Sequence, residues 1–103
     1  MEFKFARPDL EALYFEEKGA NRYPNKVVDA FFSLMAVIRS AGDERDLRAL
    51  THLHYEKVVT KPGYYTLRLK DGWRLEFTYE PPQGSQKVIV IREMNNHKYR
   101  RKR

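Results

Sequence analysis

The sequence predicts an α+β domain in which N-terminal helices pack on one face of an antiparallel β-sheet. Three observations predict it. Apolar residues recur at helical spacing through the first half of the chain, the second half alternates apolar and polar residues with period two, and Pro, Gly and Asp punctuate both. A chain of 103 residues supports one core and not two. Residues 1–97 therefore form a single domain, and residues 98–103, KYRRKR, form a basic tail.

The elements follow in order. FKF at residues 3–5 alternates and suits a short edge strand. In RPDLEALYFEEKG, Pro8 takes a first helical position, Asp9 and Glu11 sit in the opening turn, and Leu10, Leu13 and Tyr14 share one side. Gly19 is the expected stop. YPNKVVDAFFSLMAVIRSAG opens with Pro24 and closes before Gly42, and its stripe of Val27, Val28, Phe31, Leu34, Met35 and Ile38 predicts the central core helix. Asp43 caps a short helix through about Leu50. THLHYEKVVTKPG then alternates briefly and becomes a loop closed by Pro62-Gly63.

Residues 64–80, YYTLRLKDGWRLEFTYE, predict a hairpin whose register can be derived. A two-residue turn at Asp71-Gly72 would set apolar side chains opposite polar ones throughout. A three-residue loop, Lys70-Asp71-Gly72, with Gly72 left-handed, places Leu69 opposite Trp73 and separates the faces. One face then carries Tyr65, Leu67, Leu69, Trp73, Leu75, Phe77 and Tyr79; the other carries Tyr64, Thr66, Arg68, Arg74, Glu76 and Thr78. In this register Arg68 lies directly across from Arg74, an unfavourable pairing of like charges. Either Glu76 bridges the two arginines or their anion is a ligand, most simply a phosphate. KVIVI at residues 87–91 is the continuous β-branched run of a buried strand.

Composition narrows the function. There is no cysteine, so there is neither a disulfide framework nor a thiolate metal site, and a reducing cytoplasm is the simplest location. No apolar run is long enough for a membrane span, and MEFKFARPD lacks a signal-peptide core. The net charge of +6 suits a polyanionic partner, yet five of the basic residues stand in KYRRKR. A nucleic-acid site on the body must therefore be a local cluster. His52 and His54 have no cysteine or carboxylate cluster beside them, so no metal and no other cofactor is expected. Phosphate-loop, dinucleotide and helix-turn-helix patterns are absent.

What remains is a polar set expected at the open face of the sheet: His54, Lys57, Arg68, Arg74 and His97. Metal-free RNA cleavage needs such a set. A base takes the ribose 2′-OH proton, cations stabilise the more negative phosphorane, and an acid protonates the leaving 5′-oxygen. Histidine suits either proton transfer, with an unperturbed pKa of about 6.5. Arginine suits the phosphate because its planar fork bonds two oxygens.

From THLHYEK through GYYTLRLKDGWRLEFTYE to IREMNNHKY, and upstream through the Pro-opened core helix, the chain resembles the HigB branch of the RelE-like toxins over roughly residues 8–97. The most specific pieces are His54 with Lys57 three residues on, the strand GYYTLRL, and W-R-L-E-F containing Arg74. The resemblance implies a compact α+β toxin that binds the ribosomal A site and cuts mRNA. It also implies a helix-turn-helix antitoxin as cognate partner, with operator DNA bound only through the pair. Carried onto this chain, it makes His54, Arg74 and His97 the catalytic candidates. Lys57 and Arg68 become candidate phosphate contacts, and Tyr99 a substitute for the family's stacking aromatic. Where the family has an acid and an aromatic before the terminal histidine, this chain has Asn95 and Asn96, which neither transfer protons nor stack. The expectation is a ribosome-dependent endoribonuclease; the alternative is a non-catalytic RNA-, ribosome- or antitoxin-binding module of the same fold.

Overall fold

A computed structural model describes residues 1–84 and 86–96; His97, Tyr99 and the basic tail lie outside the described residues. The chain forms β1 (Phe3–Phe5), α1 (Pro8–Glu16), α2 (Asn25–Ser40), α3 (Glu44–Ala49), β2 (Glu56–Lys57), β3 (Tyr65–Arg68), β4 (Arg74–Glu80) and β5 (Val88–Asn95). Two short 3-10 turns, Ala20–Arg22 and Thr51–Leu53, complete the described elements. The strands make one five-stranded sheet in the order β1-β5-β4-β3-β2. Neighbours are antiparallel except β1, which runs parallel to β5 with Phe3 opposite Ile89 and Phe5 opposite Ile91. The α+β class holds, and the sheet is mixed rather than purely antiparallel. The parallel edge joins strands distant in sequence: between β1 and β5 the chain passes through the three helices and then β2, β3 and β4.

The expected stripe of α2 is the centre of the core: Val27, Phe31, Leu34, Met35 and Ile38 are all buried. Leu10 and Leu13 of α1 and Leu47 of α3 join it, and the sheet answers with Leu67, Leu75, Phe77, Ile89, Ile91 and Met94. All of these strand residues share one face in the observed registers. Helices therefore cover a single side of the sheet, which leaves the other for polar groups. Asp43 caps α3 as expected, its carboxylate accepting from the Arg45 backbone N–H. Helix α1 ends earlier than Gly19: Glu17 takes the left-handed cap at φ 56°, and its N–H bonds to Leu13. Gly19, also left-handed, then starts the 3-10 turn that delivers Tyr23 edge-on to Trp73, with ring centroids 5.6 Å apart.

The β3-β4 register is the expected one, with Leu67 opposite Leu75 and Arg68 opposite Arg74. The turn that sets it is built differently. Both Asp71 (φ 52°) and Gly72 (φ 83°) are left-handed, and the Trp73 N–H bonds to the Lys70 carbonyl. Consecutive left-handed residues match the twist of paired strands. Lys70 is the extra residue, because the Leu69 N–H bonds to the Trp73 carbonyl. Gly72→Ala adds no clash, since a Cβ there meets nothing within 4 Å, but it pays the left-handed penalty of an L-residue. We expect a loss of about 1–2 kcal/mol in urea unfolding.

Deep in the core margin, the Tyr55 and Tyr79 hydroxyls hydrogen-bond at 2.6 Å. Burial pushes both phenols above the ordinary tyrosine value of 10.0, Tyr79 the more strongly. The unfolded chain releases these protons near pH 10 while the folded chain keeps them, so this contribution to stability is whole below pH 10 and falls as pH rises. Alkaline titration is expected to show the tyrosinate absorbance of this pair appearing together with loss of the circular dichroism signal. Full tyrosine ionisation with the fold intact would contradict the burial argument.

Candidate active site on the open face of the sheet

The polar side of the hairpin is largely buried, which alternation alone does not predict. Thr66, Arg74, Glu76 and Asn95 are all under 8% exposed. They lie in rows across the sheet: Arg68, Arg74 and Asn95 in one, and Thr66, Glu76 and Glu93 in the next. Burial of charged groups on a sheet face requires matched partners, and they are present. Arg74 Nε donates to Thr66 Oγ1 at 2.7 Å, and its terminal amine pairs with Glu56 Oε1 at 2.9 Å. Lys61 Nζ reaches Glu76 Oε1 at 3.0 Å, and Glu76 holds the lysine above its usual pKa. Glu93 accepts from the Asn95 amide at 2.8 Å and faces Arg7 at 3.7 Å.

His54 is positioned by the turn Thr51–Leu53. Leu53 is buried, the His54 N–H bonds to the Thr51 carbonyl, and His54 itself takes the left-handed conformation at φ 49°. Histidine is among the residues that tolerate this region. The same terminal amine of Arg74 donates to the His54 carbonyl, tying this backbone to the sheet. On the imidazole side, Arg68 NH1 lies 3.5 Å from Nε2. A guanidinium only donates, so Nε2 is the acceptor in this contact.

The arginine pair therefore divides. Arg74 is buried and its contacts run to Glu56, Thr66 and the His54 backbone. Arg68 is exposed, touches His54, and forms no ion pair with a carboxylate among the described residues. Glu76, considered as a bridge between them, is engaged by Lys61.

Lys57 is brought near His54 but not onto the same face as the arginines. It pairs with Tyr65, whose side chain joins the helix-covered face, while Glu56 pairs with Thr66 and reaches Arg74. Lys57 and His54 instead share the wall of an open depression of about 540 Å³ with Arg48, Thr51, Tyr55 and Glu56. His54 thus has Arg68 at its ring and Lys57 along the adjoining wall. His97 and Tyr99 are outside the described residues. Sequence reasoning missed Glu56, Lys61 and Glu93, the partners that let this face be buried; the like-charge opposition of Arg68 and Arg74, which calls for an acid from outside the pair, was the available signal. Among the described residues no three His, Cys, Asp or Glu side chains come together to hold a metal ion, and no described helix is long and apolar enough to cross a membrane.

The fold and this face together define a single α+β domain with a histidine and an exposed arginine in contact above a buried charge network. No protein-family model matches the chain, and no curated protein matches it by sequence.

Proposed function

We propose that the protein is a ribosome-dependent mRNA endoribonuclease, the toxin of a toxin–antitoxin pair that acts in the cytoplasm and inhibits translation. The observation that carries this reading is the exposed His54 imidazole beside Arg68, an arginine with no carboxylate partner among the described residues, over a backbone latched by Arg74. His54 Nε2 takes the proton of the ribose 2′-OH as the 2′-oxygen attacks phosphorus; the substrate hydroxyl displaces Arg68 from that nitrogen. Arg68 then turns its fork to the phosphorane oxygens, with Lys57 adding charge from the adjoining wall. The bond from phosphorus to the 5′-oxygen breaks, and an acid, His97 in the sequence reading, protonates the leaving oxygen. Arg74 is a positioning residue: it sets where the His54 ring stands. In this reading the ribosomal A site presents the message, a helix-turn-helix antitoxin is the cognate partner, and operator DNA is met only in complex with it.

The second reading, a non-catalytic RNA-, ribosome- or antitoxin-binding module, is favoured by one observation. Asn95 is buried and bonded to Glu93, so the place of the family's acid holds a structural amide. Induced expression separates the two. The enzyme predicts growth arrest that His54→Ala relieves; the module predicts unaltered growth with the protein still co-sedimenting with ribosomes.

A further inference from the structure

Strand β5 gains one residue against β4. Glu76 is opposite Glu93, but Phe77 is opposite Ile91, so Arg92 is the bulged residue. Bulges re-aim side chains. Here the bulge turns Arg92 onto the same open face as Glu93, where its Nε donates to Thr78 Oγ1 at 2.8 Å. Its guanidinium carbon lies 5.5 Å from the centroid of the Tyr64 ring, and Lys61 Nζ lies 5.1 Å from the same ring. Arg92 is half-buried, yet no carboxylate pairs with it among the described residues. Among the described residues every other half-buried or buried cation has an acid: Arg7 has Asp9, Arg74 has Glu56 and Lys87 has Glu44. A guanidinium fixed by one nitrogen and one ring face, with its terminal fork uncommitted, is a preorganised site for a phosphate oxygen pair.

We propose that Arg92, seated on Thr78 and Tyr64, is a second phosphate-binding point that holds the backbone of a single RNA strand beyond the His54–Arg68 pair. The inference rests on the RNA reading above and extends its site. Tyr64 directly precedes β3 and is four residues from Arg68, so along an extended backbone the two points are separated by about 13 Å. An extended RNA strand crosses that distance in a few nucleotides. The intervening row carries Glu76 and Glu93, which would repel a phosphate, but Lys61 and Arg7 face them. The strand is therefore held at its two ends, with the acid row bridged between them.

The test is fluorescence anisotropy of purified protein with labelled oligouridylates of about three and about twelve nucleotides, over a salt series. Wild type is expected to bind the longer RNA more tightly. Arg92→Gln keeps a group able to bond Thr78 and is expected to weaken the longer RNA about 5- to 20-fold, leave the shorter one unchanged, and reduce the salt slope by about 0.7. Arg92→Lys, which retains the charge, should restore most of that slope. Equal slopes for Gln, Lys and wild type would overturn the proposal, as would equal losses in Gln and Lys with the slope unchanged, since both mark a structural role. If Arg68→Gln weakens binding while Arg92→Gln does not, the second point is wrong and the functional reading survives. If wild type binds neither RNA, the second point also fails, and the growth assay with His54→Ala decides the functional reading separately.

Discussion

His54→Ala is expected to slow message cleavage by about 10²–10⁴-fold, the usual worth of a positioned acid or base. The fold should remain, because the His54 side chain is exposed and its described partner is Arg68 alone. Alanine is less at ease than histidine in the left-handed conformation that position 54 requires. His54→Asn is therefore the better control: asparagine accepts that conformation but transfers no proton. Both variants are expected to lose cleavage alike, measured as the time course of a reporter message, while unfolding midpoints separate them slightly. Full cleavage by His54→Asn would move the chemistry to another residue.

Arg74→Leu should cost about 2–4 kcal/mol of stability, read by urea denaturation, and should also abolish cleavage. The stability loss comes from leaving the Thr66 hydroxyl and the His54 carbonyl without their donor and Glu56 without its cation. Glu56 is 41% exposed at its side chain and turns to water, which holds the cost below that of a fully buried pair. Arg74→Lys keeps the charge but not the fork that reaches Glu56, Thr66 and the His54 carbonyl, so it should recover only part of each loss. A double-mutant cycle with Glu56→Gln is expected to show coupling of about 1 kcal/mol or more. A loss under about 0.5 kcal/mol for Arg74→Leu would mean that the latch does not hold His54 in place.

Much of this arrangement is legible in the sequence, and the part that is not has specific physical reasons. The α2 stripe and the hairpin register follow from burying apolar side chains on one face, so the opposition of Arg68 and Arg74 follows as well. Alternation gives no signal for the bulge at Arg92, because one extra residue leaves hydrophobic positions on either side intact. It also fails at β2, where two residues are too few to specify a face; Lys57 and Glu56 exchange the sides that composition suggests. Burial of Arg74 and Glu76 depends on Glu56 and Lys61, which arrive from a separate edge and loop. The left-handed His54 is likewise a product of tertiary contacts, since Arg74 reaches its carbonyl from across the sheet.

The most direct measurement is a primer-extension map of one reporter mRNA in a purified translation system. It compares wild type, His54→Ala and Arg68→Gln, each with and without ribosomes. The account predicts discrete cuts for wild type only when ribosomes are translating, none for His54→Ala, and markedly fewer for Arg68→Gln. An intact message at stoichiometric wild-type protein would contradict it and leave the buried Asn95 as the mark of a domain that binds without cutting.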